Sequence, residues 1–207
     1  MTNTGEPVMI LYLHGFRSSP SSFKALLLAE RMQQLGLGDH YVCPQLPDSP
    51  NEAVRLVLEL VSPFAAGSVA LIGSSLGGYY ATALAEKIGC AAVLLNPVVE
   101  PLLVMPRNID LASGIHVEQW LSFTHQHEAE LRALRVERIT RPERYFLLAG
   151  TADELLDWRE MTAHYAGARQ RVIEGGDHGL ADFPHYMDEV LEFCGVDAGA
   201  KESTTPP

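Results

Sequence analysis

Val69-Ala70-Leu71-Ile72-Gly73-Ser74-Ser75-Leu76-Gly77-Gly78-Tyr79-Tyr80-Ala81-Thr82 is the stretch on which the fold turns. The apolar run Val69 to Ile72 has strand length, a Gly-x-Ser-x-Gly pentapeptide follows it, and the helical run Tyr79 to Ile88 comes next. A strand that turns sharply into a helix holds the residue at its apex in a strained backbone conformation. Side chains two residues on either side of that apex would collide, so both flanks need glycine. Gly73 and Gly77 flank Ser75 in this way, whereas Ser74 lacks such a pair because Ile72 stands before it.

On both sides of this unit, apolar runs of strand length alternate with stretches of helical period. That is the pattern of a parallel sheet covered by helices on both faces, an α/β fold. Six strands are expected: Val8 to Leu13, His40 to Gln45, Val69 to Gly73, Ala91 to Asn96, Arg144 to Gly150 and Gln170 to Glu174. Ser19-Pro20 reads as an N-cap with proline at the first helical position, opening a helix that ends near Leu35-Gly36. Ser49-Pro50-Asn51-Glu52 matches a capping box, and Val54, Val57, Leu58 and Val61 mark the buried face behind it. Phe183, Tyr186, Met187, Val190, Leu191 and Cys194 follow one helical stripe and should close the domain.

The stretch from Val98 to Arg141 lacks a strand and carries a helical segment around Val117 to Leu134, so a lid is expected at about 100–141. Residues 1–196 then form one domain, and the small, polar residues 197–207 a frayed tail.

A chain of 207 residues with 47% hydrophobic and 20% charged residues is an ordinary globular one with a single core. Fifteen Lys and Arg against 26 Asp and Glu give a net charge of −11, a field that repels nucleic acid and anionic membrane surfaces. The first residues lack the pattern of a secretory signal, and no apolar run approaches the roughly 20 residues of a spanning helix, which points to a cytoplasmic protein. Cys43, Cys90 and Cys194 sit among apolar neighbours and read as reduced, buried side chains. No metal-ligand spacing and no Gly-x-Gly-x-x-Gly loop is present, so neither metal nor cofactor is expected.

A serine hydroxyl becomes a nucleophile only when a base takes its proton and a third group fixes that base. In this type of fold the chain order is serine, acid, histidine, each on a loop at the carboxyl end of a strand. His178 lies in Gly175-Gly176-Asp177-His178-Gly179 just past the last expected strand and is the base of choice among eight histidines. Asp153 is first out of the preceding strand and leads as the acid, with Glu154, Asp157 and Asp177 as neighbouring competitors. Ser75 at the start of a helix also places the Leu76 N–H where negative charge develops. The loop His14-Gly15-Phe16-Arg17 after the first strand supplies the second donor, the Phe16 N–H, with Gly15 allowing a ligand to approach. His14 is expected to brace that loop. Arg17 could meet an anionic substrate, and Trp120, with Leu121 and Phe123, could line an acyl pocket from the lid.

Leu13-His14-Gly15-Phe16 with Ser18-Ser19-Pro20, the block Gly73 to Thr82, Asn96-Pro97, Asp153-Glu154 and Glu174-Gly175-Gly176-Asp177-His178 together resemble the YqiA/YcfP-like esterase family of the α/β-hydrolase superfamily. The resemblance implies a minimal α/β-hydrolase and a small bacterial serine esterase acting on short acyl esters or thioesters. Ser75, Asp153 and His178 would be its triad. Ala152, Trp158 and Gly179-Leu180 depart from the family pattern, and the segment at about 100–141 matches least, so substrate preference does not carry over. The alternatives are a binding protein on the same scaffold, or the same triad acting on amide or carbon-carbon bonds.

Overall fold

A computed structural model of the chain describes residues 8–104 and 124–199. Six parallel strands, β1 (Met9–Leu13), β2 (Tyr41–Val42), β3 (Val69–Ser74), β4 (Ala91–Leu95), β5 (Tyr145–Gly150) and β6 (Arg169–Ile173), form one sheet in the order β2-β1-β3-β4-β5-β6. The order reverses between β1 and β3, which pair in register from Met9 with Val69 to Leu13 with Gly73. Open parallel sheets bind ligands in the crevice beyond the carboxyl ends of strands at such a reversal.

The helices are α1 (Phe23–Gln34), α2 (Pro50–Val61), α3 (Leu76–Ile88), α4 (Pro101–Val104), α5 (His125–Ala133), α6 (Trp158–His164) and α7 (Met187–Phe193). Alternate residues of a strand face opposite sides of the sheet, and two cores result. Leu11, Leu13, Leu71, Leu94 and Leu147 pack under α2, α3, α5 and α6, while Ile10, Tyr12, Ile72, Val93 and Phe146 pack under α1 and α7. The edge strand β6 carries Arg169 and Arg171, both paired with Glu189 of α7, and such charges discourage a further strand from adding there.

Four expectations shift. The helix foreseen at Ser19-Pro20 starts at Phe23, because residues 19–22 close a turn in which the Ser22 N–H donates to the Ser19 carbonyl at 3.0 Å. The strand foreseen at His40 to Gln45 keeps only Tyr41–Val42, since Pro44 has no N–H to give a ladder. The closing helix opens as a 3-10 turn, Phe183–His185, before α7 begins. Ala198 is buried and its carbonyl accepts from Arg31 at 2.7 Å, so packing reaches past the expected tail boundary at 197. Of the expected lid, α4 and α5 are described, while residues 105–123, with Trp120, Leu121 and Phe123, lie outside the described residues.

Candidate active site

Ser75 stands between β3 and α3 with φ 55° and ψ −121°, a conformation that non-glycine residues rarely adopt. A Cβ on Gly73 would lie 2.4 Å from the Gly77 carbonyl oxygen, and one on Gly77 would lie 2.0 Å from that of Leu13. Both glycines are therefore required, the first by the turn itself and the second by the end of β1. The turn is tied down by its backbone: the Ser75 N–H donates to the Leu95 carbonyl at 3.0 Å, and the Ser75 carbonyl accepts from Gly78 at 2.9 Å and Val98 at 3.1 Å.

His178 Nε2 lies 3.1 Å from Ser75 Oγ, and its Nδ1 lies 2.8 Å from Asp153 Oδ2. An ionised carboxylate only accepts, so by its partners the neutral ring carries its proton on Nδ1 and leaves Nε2 to accept from the serine hydroxyl. The Asp153 side chain is fully buried (0% exposed), and its Oδ1 accepts the N–H groups of Leu155 and Leu156, each at 2.9 Å. The three competing acids have other work. Glu154 accepts the His178 N–H at 3.1 Å, Asp157 caps α6 through the Arg159 N–H at 2.9 Å, and Asp177 takes the Ala181 N–H at 3.0 Å.

Two loops that are distant in sequence hold this geometry. A Cβ on Gly150 would meet the Gly176 carbonyl oxygen at 2.3 Å, and the Ala152 N–H donates to that same carbonyl at 3.0 Å. Asn96, buried at the end of β4 with φ 42°, receives the Gly150 N–H on Oδ1 at 2.8 Å and donates from Nδ2 to the carbonyls of Asp177 (2.8 Å) and His178 (3.2 Å). It pins the histidine loop to the sheet. The sequence motifs contained Asn96 but gave it no task, and the one local sign was an asparagine at the end of a buried strand, where a positive φ is tolerated.

Gly15 packs against the serine, since a Cβ there would lie 3.2 Å from Ser75 Cβ and 3.7 Å from its Oγ. His14 is buried and does brace the loop. Its Nε2 accepts the Leu46 N–H at 3.1 Å, which leaves the proton on Nδ1 to donate to the Gly15 carbonyl at 2.9 Å. Burial pushes the His14 pKa down, against the opposing pull of the Gly15 carbonyl. The Gly15 carbonyl and the Phe16 N–H belong to one planar peptide, so that hydrogen bond also orients the Phe16 donor. Leu76 is the first residue of α3, and its N–H has no acceptor within the helix.

Two cavities flank the Gly15 loop. The larger, about 370 Å³, is bounded by Tyr12, Gly15, Lys24, Ser74, Asp177 and Gly179. The smaller, about 40 Å³, lies among Phe16, Arg17, Leu46, Leu76 and Tyr80, with exposed Arg17 (φ 54°) in its lining. Among the described residues no three His, Cys, Asp or Glu side chains gather as a metal site, and no helix is long and apolar enough to cross a membrane.

Residues 9–195 match the model of the Uncharacterised protein family UPF0227. The chain belongs to that family. UPF0227 is the YqiA/YcfP-like family that the motifs resembled. Solved structures similar to this UPF0227 chain include mouse alpha/beta hydrolase domain-containing protein 10, with a TM-score of 0.67 at 19% identity over 88% of this chain and 89% of that one. An alpha/beta superfamily hydrolase from Oenococcus oeni gives 0.61 at 14% over 93% and 94%, and Est1E of Butyrivibrio proteoclasticus, solved with ferulic acid bound, 0.62 at 14% over 91% and 87%. At these identities the likeness is one of fold, and the UPF0227 chain has the α/β-hydrolase fold.

Proposed function

We propose that the protein is a serine hydrolase of short acyl esters or thioesters, with Ser75 as nucleophile, His178 as base and Asp153 as its orienting acid. One observation carries this reading: the unbroken chain from Ser75 Oγ through the His178 ring to the buried Asp153 carboxylate, at 3.1 and 2.8 Å. His178 Nε2 takes the hydroxyl proton as Ser75 Oγ attacks the acyl carbonyl. The Phe16 and Leu76 N–H groups hold the oxyanion, and Asp153 stabilises the imidazolium. His178 returns the proton to the leaving alcohol or thiol. Water, deprotonated by the same ring, then frees the carboxylic acid and regenerates Ser75.

Fluorophosphonate labelling tests the assignment. Wild type and Ser74→Ala are expected to label and Ser75→Ala is not, and a chain-length series of aryl esters and acyl thioesters should show turnover that Ser75→Ala lowers by at least about 10³-fold. Labelling that survives in Ser75→Ala overturns it.

A further inference from the structure

Lys24 lies in the first turn of α1, where the helix dipole opposes a cation and no acidic residue shares the turn. Helix stability does not explain it. Its half-buried side chain reaches across the site instead, and Nζ donates to the Gly179 carbonyl, one residue beyond His178, at 2.6 Å. Burial pushes the ammonium pKa down, against the charges of Asp177 and Asp153. Among the described residues no carboxylate forms an ion pair with Nζ, so of its three donors only the one spent on Gly179 has a partner. Ions withdrawn from water are normally paired.

The ammonium borders the 370 Å³ cavity, whose other walls include Gly15, Ser74, Asp177 and Gly179. Gly15 touches Ser75, Ser74 precedes it, and Asp177 and Gly179 flank His178. Ser75 and His178 are not themselves part of that lining, so a group bound there lies next to the loops that carry them, within a short substrate's length of the serine rather than on it. We propose that this cavity receives a free carboxylate carried by the ester substrate, with Lys24 Nζ as its counter-ion. The inference rests on the hydrolase reading above and names its substrate class: acyl esters bearing a second, unesterified carboxyl group. One negative charge suits the cavity better than two, because the Asp177 carboxylate lines the same space and already offsets part of the lysine charge.

The test compares kcat/KM for matched aryl esters: a monoaryl glutarate against the aryl valerate, and the butyrate of a hydroxybenzoate against that of its methyl ester. Wild type is expected to prefer the anionic member of at least one pair by about 10-fold or more, the yield of one hydrogen bond to a charged group. Lys24→Met should bring that ratio to about 1 and Lys24→Arg should keep most of it. The ratio separates recognition from scaffolding, since loss of the Gly179 contact alone would slow both members alike. Free glutarate should also protect Ser75 from the fluorophosphonate in wild type and protect it less in Lys24→Met.

Equal rates for both members in wild type, or a ratio that survives in Lys24→Met, overturn the inference. Stronger preference for a phosphate-bearing ester than for the carboxylate overturns the monoanion. Failure of the probe to label Ser75, with no turnover of any ester, overturns the hydrolase reading itself.

Discussion

Ser75, Arg17, Asn96 and Leu180 are the non-glycine residues with positive φ among those described, and all four lie in loops that build the site. Strained backbone collects where a side chain must be aimed rather than where the chain is most stable. For Ser75 this gives two opposed expectations from one substitution. Ser75→Gly should end fluorophosphonate labelling, yet raise the unfolding free energy by about 1 kcal/mol, because glycine accepts φ 55° without the roughly 1–3 kcal/mol of strain. Urea unfolding of the two proteins measures it. A less stable glycine variant would mean that the turn stores no strain. The need for Gly73 was readable because its collision with the Gly77 carbonyl is decided within five residues, whereas the collision that fixes Gly77 is with Leu13 and exists only once β1 is in place. The task of Asn96 was not readable, because its partners Gly150 and Asp177 are reached only by folding.

Helix α5 shows how an element between β4 and β5 is fastened. Its residue Glu130 is buried, and Oε2 accepts from the Ser49 hydroxyl at 2.7 Å and the Asn51 N–H at 3.1 Å, both at the start of α2. Burial alone would raise the Glu130 pKa, but the Ser49 hydroxyl, the Gln126 amide and the Asn51 N–H outweigh it and hold the carboxyl below its usual range. Ser49 caps α2 as foreseen, accepting the Glu52 N–H at 3.3 Å, while the carboxylate that answers it comes from Glu130, 81 residues on. Glu130→Ala should lower stability by about 1–3 kcal/mol at pH 7, since it strands a hydroxyl and an N–H. A depressed carboxyl pKa stabilises above the unfolded value of about 4.3 and ceases to do so as pH falls through the folded one. The gap between wild type and variant should therefore narrow below pH ~4, as denaturant titrations at several pH values will show.

For the domain as a unit, His14 links stability to pH. It is neutral and buried between β1 and the Leu46 loop, with its pKa pushed below the ordinary value by burial. A histidine whose pKa is lowered on folding contributes stability above its unfolded pKa of about 6.5, and this is lost as pH falls from there toward the folded value. His14→Gln should flatten the fall in unfolding free energy between pH 7.5 and 5.5, and identical slopes for the two proteins would remove His14 as its source. The strand runs, the helical stripe of α7 and the glycine flanking of the serine at Gly73 follow from periodicity and sterics acting over a few residues, so the amino-acid string is enough to find them. The choice of Asp153 over Glu154, Asp157 and Asp177 is of another kind, as are the grip of Glu130 on α2 and the reach of Lys24 to a carbonyl 155 residues away. Hydrogen bonds tolerate only a few tenths of an ångström, and side chains acquire such distances only when remote loops are brought together over the ends of the sheet.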